Sequence, residues 1–166
     1  MAAPVMLAYR FWHRPRADDR RDDYERRLVR FHAALQGAVA GSAAFGIEEL
    51  PFAGGAGYED WYLVEGWAAL GALNEAAVSG ARRSPHDAVA GMAAEGWGGV
   101  YGLVRGRDAV PNAVRWASKP DGESYGPFLE RERAESVWQR QLVLGPAPEF
   151  CLSAEGSPAR RRLWPR

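Results

Sequence analysis

The sequence predicts an α+β fold in which a βαββαβ unit over residues 1–106 is followed by a truncated βαββ unit over 107–166, packed together as one compact whole. Three observations predict it. The stretch Ala8-Tyr9-Arg10-Phe11-Trp12-His13-Arg14-Pro15 returns as Ala113-Val114-Arg115-Trp116-Ala117-Ser118-Lys119-Pro120, in the order small, apolar, Arg, aromatic and then basic-Pro. Segments of period-two alternation take turns with segments of helical spacing. The 166 residues are 47% hydrophobic and 25% charged with a formal net charge of zero, the balance of a soluble globular chain.

Residues 5–13 place Val5, Leu7, Tyr9 and Phe11 on one face of a strand and Met6, Ala8, Arg10 and Trp12 on the other. Both faces are largely apolar, so this strand is expected to be covered on both sides. From Asp18 to Leu35 the spacing of Tyr24, Leu28, Phe31 and Leu35 is helical, and Asp18, Asp19, Asp22 and Asp23 suit the positive end of the helix dipole. Strands are predicted at 42–50 and 59–67, joined by a glycine-rich connector that lacks the Lys-Ser/Thr of a phosphate-binding loop. A helix at 68–78 and a short one starting at Ser84-Pro85 follow, the second ended by Gly96, Gly98 and Gly99 before a strand at 100–104. This order makes a four-stranded antiparallel sheet with helices on one face, the ferredoxin-like arrangement. The echo then supplies a strand at 113–118, a helix at 124–135 and strands at 137–144 and 149–153.

Composition excludes several classes. No run is apolar enough to cross a membrane and Arg10 and His13 interrupt any leader-like segment, so a cytoplasmic location is expected, with no membrane partner. Arg160, Arg161 and Arg162 read as a solvated basic tail. The strand at 100–104 has one aromatic and no basic companions, which argues against nucleic acid. The single cysteine, Cys151, excludes an intrachain disulfide and reads as a buried inert thiol. Neither HExxH nor any histidine pair at ligand spacing occurs, and no metal or other cofactor is expected. Abundant Ala and Gly with a single lysine, Lys119, suggest a GC-rich bacterial source.

The polar candidates sit on predicted strands and helix starts. Arg10 and Arg115 occupy equivalent places in the two copies, while Glu48 and Glu65 fall on strands expected to be buried. Arg10 either pairs with Glu48 or Glu65 as an internal brace or receives an anionic or carbonyl-bearing ligand. His86, near a helix start that disfavours imidazolium, is the candidate base; its alternative role is to cap that helix. Trp12 and Trp67 are candidate ligand contacts among tryptophans that otherwise build core.

The stretch running into Trp67-Ala68-Ala69-Leu70, with Ser84-Pro85-His86-Asp87 downstream, resembles the dimeric α/β-barrel superfamily, which includes antibiotic-biosynthesis-type monooxygenases and stress-responsive barrel proteins. The tail from Trp138 to Cys151 resembles a bacterial family signature that carries no functional assignment. The resemblance implies stacked sheets from a homodimer, or here an internal pseudo-dimer, enclosing a pocket. It also implies binding of a small aromatic or polyketide-like molecule, with cofactor-independent oxygenation or isomerisation as reaction classes, and leaves open haem held by a single histidine. In that expectation His86 is catalytic, and Arg10, Trp12, Glu65, Trp67 and Arg115 bind substrate. The alternative is a non-catalytic assembly or regulatory module with a filled core.

Overall fold

The computed structural model describes residues 5–16, 20–142, 145–155 and 160–165. Its elements run β1 (Met6–Pro15), α1 (Arg21–Ala34), β2 (Gly41–Ile47), β3 (Gly57–Glu65), α2 (Gly66–Ala77), α3 (Gly80–Ala90), β4 (Ala93–Arg105), β5 (Val114–Ala117), α4 (Tyr125–Arg131), β6 (Val137–Arg140), β7 (Phe150–Ser153) and β8 (Arg160–Trp164). The eight strands form one antiparallel sheet in the order β5-β7-β6-β4-β1-β3-β2-β8. The two predicted units therefore continue one sheet instead of stacking as two.

Alternation along β1 sorts its side chains onto two cores, as its two apolar faces require. Leu7, Tyr9 and Phe11 face α1, α2 and α3, where they meet Tyr24, Leu28 and Phe31 of α1. Ala8 and Trp12 face the other way, into a core shared with Phe45 of β2, Trp61 of β3, Tyr101 of β4 and Trp138 of β6. That second core shows why the sheet curls into a half-barrel. Trp116 of β5 packs on Trp12 of β1 at 5.8 Å, and Trp138 of β6 on Trp61 of β3 at 5.7 Å, although several strands separate them in the order. Fully burying a tryptophan is worth roughly 4–6 kcal/mol before entropy costs. Closing the concave face over these rings meets the need to cover a helix-free sheet face with the chain's own strands. On the convex side of β6 and β7, α4 packs Phe128 on Val137, Phe150 and Leu152.

Several sequence expectations are corrected. Gly96, Gly98 and Gly99 end no helix; they lie inside β4, which starts at Ala93. A Cβ at Gly96 would lie 2.5 Å from Phe11 Cζ and one at Gly98 2.9 Å from the Tyr9 hydroxyl, so the missing side chains make room for aromatic rings leaning across from β1. The helix expected to begin at Ser84 begins at Gly80, with Pro85 inside it. The proline removes one internal hydrogen bond, a loss the helix tolerates while Val89 anchors its buried side. Arg160–Arg162 form no solvated tail. They belong to β8, which pairs with β2, and strand alternation sends Arg160 inward to Glu59 and Arg161 outward to Glu25 of α1. Glu48 is exposed, not buried. Asp18 and Asp19, Leu144 and its neighbour Val143 at the end of the predicted 137–144 strand, and residues 156–159 lie outside the described residues.

Candidate functional site

Glu59 and Asp60 are adjacent on β3, so their side chains point to opposite faces of the sheet, and both are buried. Each becomes the anionic centre of one cluster.

On the concave face, Glu59 lies opposite Trp12 in the β1–β3 register. Its carboxylate accepts hydrogen bonds from Trp12 Nε1 at 3.0 Å and Trp61 Nε1 at 2.7 Å. Arg160 donates to the same carboxylate, and Arg10 Nη2 stands 2.8 Å from Oε2. Burial alone would raise this carboxyl, but Arg10 and Arg160 outweigh it and bring it down to about 2. The fully buried Arg10 guanidinium lies 3.8 Å from the Trp61 ring centre and 4.5 Å from that of Trp116. Trp116 thereby clamps β5 over β1 through a cation–π sandwich. Arg10 Nε and Nη1 have no hydrogen-bond partner among the described residues. The Cys151 thiol is buried in the same core, and burial pushes it up and away from thiolate despite Arg10 nearby.

On the helix face, Asp60 sits at the floor of a cavity of about 650 Å³ between the sheet and the three helices. That volume lies within the range of small-molecule sites. Phe31 and Leu73 are among its apolar walls; polar groups reach it from the sheet and α1 at the Asp60 floor and, on the helix side, from Asn74 and His86. There His13 Nε2 is 3.0 Å from Asp60 Oδ2, to which the Tyr62 hydroxyl also donates at 2.9 Å. The other nitrogen of His13, Nδ1, meets the Tyr24 hydroxyl. His32 Nε2 lies 3.2 Å from Asp60 Oδ1 but is not aligned to donate, and its ring stacks on Tyr62 at 4.9 Å. Burial raises the Asp60 carboxyl, yet His13 and His32 outweigh it and hold it below the ordinary carboxylate range. An ionised carboxylate can only accept, so with a neutral imidazole the His13 proton belongs on Nε2, and Tyr24 donates to Nδ1. Burial, reinforced by the Asp60 charge, raises the Tyr24 and Tyr62 phenols and keeps both protonated.

The expected site residues fall in different places. His86, half-buried on α3, and Trp67, exposed at the start of α2, both line this cavity. His86 packs edge-on against Phe31 at 5.5 Å, and its Nδ1 is 3.0 Å from Asp87 Oδ1. Arg10 and Trp12 lie on the opposite face of the sheet, and Arg10 pairs with Glu59 instead of Glu48 or Glu65. Glu65 ends β3 in solvent. Arg115 is not the structural equal of Arg10. In β5 the neighbouring Val114 and Trp116 face inward, so Arg115 faces out, where it pairs with Glu132. No arginine or lysine lines the cavity among its described residues.

Sequence reasoning missed His13, Tyr24, His32, Asp60 and Tyr62 as a group. The available signal was parity: odd-numbered His13 shares a strand face with Leu7, Tyr9 and Phe11, and even-numbered Asp60 and Tyr62 share one on β3. Among the described residues, no group of three or more His, Cys, Asp or Glu side chains is placed to hold a metal ion.

Fold and site together define an α+β protein whose curled antiparallel sheet carries an apolar cavity with a buried Tyr-His-Asp floor. Comparison with protein-family models, curated proteins and solved structures finds no match for this chain. No described helix is long and apolar enough to cross a membrane.

Proposed function

We propose that the protein binds a small, neutral, largely apolar molecule in the cavity between the sheet and α1–α3, with a hydroxyl or carbonyl of that molecule at the floor. The cavity itself carries this reading: about 650 Å³ walled largely by aromatic and aliphatic side chains, with a hydrogen-bonding group of tyrosine, histidine and aspartate at its floor. Among the described residues no arginine or lysine lines it, which favours a neutral ligand over an anionic one. An aromatic molecule suits walls such as Phe11, Phe31 and Trp67. The same reading takes β1–β4 and α1–α3 as a ferredoxin-like unit of the dimeric α/β-barrel kind. The strand order β4-β1-β3-β2 supports it, with β5–β7 covering the face a partner subunit covers elsewhere in that superfamily.

Gly71 provides a direct test. It lines the cavity from α2, and a Cβ built on it meets nothing within 4 Å. Gly71→Trp is expected to leave the melting temperature unchanged or higher, since glycine is a poor helix residue. It should also abolish the fluorescence rise of the neutral apolar dye 1-aminoanthracene, which the unsubstituted protein is expected to bind at micromolar concentration. Absence of dye binding to the unsubstituted protein, or equal binding by a folded Gly71→Trp, would overturn the reading.

A further inference from the structure

We infer that the floor of this cavity is a proton-transfer site for carbonyl compounds, in which Tyr24, His13 and Asp60 move a proton to and from the carbon next to the ligand's carbonyl. The inference rests on the binding reading above and goes beyond it in naming a ligand class and a reaction.

Three observations carry it. The Tyr24, His13 and Asp60 side chains form a continuous hydrogen-bonded line with Asp60 at the inner end. All three border the cavity, each at most 2 % exposed, so the line lies directly beneath the cavity surface and a ligand's carbonyl approaches it from that side. Asp60 is fixed by more than His13: the Tyr62 hydroxyl donates to it and His32 flanks it, so the acceptor that orients the imidazole is held from several sides. A carboxylate orienting a histidine, which in turn faces a hydroxyl, is the general arrangement for activating that hydroxyl.

The step balances without any co-reactant. The C–H bond next to the carbonyl breaks and its proton passes to the Tyr24 oxygen. The Tyr24 proton moves to His13 Nδ1 in the same event, so no free phenolate forms. The electron pair left on carbon becomes the C=C bond of an enolate, whose negative charge resides on the former carbonyl oxygen. The imidazolium is held against the Asp60 carboxylate. Return of the proton to carbon regenerates the ketone, or exchanges its hydrogen with solvent; delivery to oxygen gives the enol. Tyr9 lines the same cavity, with its hydroxyl over the missing side chain of Gly98, and supplies the hydroxyl for the developing oxyanion. Tyr9 and Tyr24 are the catalytic residues and Asp60 a positioning residue.

The test uses 2-tetralone, a neutral bicyclic ketone with exchangeable hydrogens at its C1 position. Binding is read as displacement of 1-aminoanthracene, and proton transfer as hydrogen–deuterium exchange at C1, followed by proton NMR in deuterated buffer. The protein is expected to accelerate exchange over buffer. Tyr24→Phe should reduce that acceleration about 100-fold or more while changing dye displacement less than about threefold. Tyr9→Phe, a partly exposed position, should lower the exchange rate with binding retained. Asp60→Asn, assayed at a temperature where circular dichroism shows it fully folded, should lower kcat for exchange and leave KM unchanged, so that the loss is not one of folded fraction. Displacement of the dye by 2-tetralone with exchange no faster than in buffer overturns the relay and leaves the binding reading standing. Dye binding that 2-tetralone does not reverse overturns the carbonyl ligand class. Failure of the dye itself to bind removes both. Should Tyr24→Phe not fold, the unsubstituted protein and Tyr9→Phe still decide the matter.

Discussion

Glu59→Gln is expected to destabilise the protein by about 3–5 kcal/mol at neutral pH, the cost of stranding a buried cation by removing its partner. Glu59 is the acceptor for Trp12, Trp61 and Arg160 and the counter-ion of Arg10, and Arg10 is wholly enclosed by the curled sheet. A neutral amide has one acceptor oxygen where the carboxylate has two, and its NH2 group faces donors. For a domain of this size the loss corresponds to a fall in melting temperature of roughly 6–20 °C, readable by circular dichroism.

The same carboxylate sets an acid limit. Its folded value, about 2, lies below its ordinary 4.5, so its stabilisation is fully present above about 4.5 and is lost as pH falls towards 2. Over that window the loss is on the order of 3 kcal/mol. Asp60, also held below its usual range, adds to the loss in the same direction. Stability measured from pH 6 down to pH 2 should therefore fall steeply in the unsubstituted protein and less in Glu59→Gln, which no longer has this proton to gain. Melting temperatures of the two proteins within 2 °C of each other at pH 7 would show that the ion pair does not hold the concave core together.

Gly106→Ala is expected to have the next largest effect, a loss of about 3 kcal/mol or more. Gly106 follows the last residue of β4 with φ at +97°, a conformation that L side chains rarely adopt. A Cβ there would lie 1.8 Å from the Glu135 carbonyl oxygen, a backbone atom that cannot swing aside. The two chain segments meet at this point because the Ser136 hydroxyl both accepts from the Arg107 amide and donates to the Arg107 carbonyl, at 3.2 Å each. Relieving the clash means prising β6 from β4, the only strand pairing that joins β5–β7 to the rest of the sheet among the described residues. Gly37→Ala is the control. Its φ of +82° is equally unfavourable, but a Cβ there meets nothing within 4 Å, so the cost should be about 1–2 kcal/mol. Equal melting temperatures for the two variants would refute the argument from the backbone contact.

The residues show what was legible in the sequence. The alternation of β1 and the helical spacing of Tyr24, Leu28 and Phe31 are local, and both elements lie where that spacing puts them. The glycines of β4 misled because a glycine cluster after a helix ordinarily means a stop. The reason for Gly96 and Gly98 is the Tyr9 and Phe11 rings, more than eighty residues away in the chain. The echo of Arg10 in Arg115 misled by one residue of parity, which is enough to turn a side chain from the core to solvent. Of the cavity, His86 and Trp67 were legible; the Asp60 floor was not, because its members come from β1, α1 and β3.

By itself the sequence determined that this is an α+β chain, that β1 and α1 lie where their spacing puts them, and that neighbours such as Glu59 and Asp60 on one strand must face opposite ways; it did not show β8 or the first half of β4. What it determined follows from backbone periodicity, which depends on near neighbours alone. Only the tertiary structure decided which partners each carboxylate meets: Arg10 and tryptophans on the concave face, histidines and tyrosines beneath the helices. Strand order, register and curl set those meetings, and they are fixed by the burial of whole faces against one another, a property of the assembled sheet that no short segment carries.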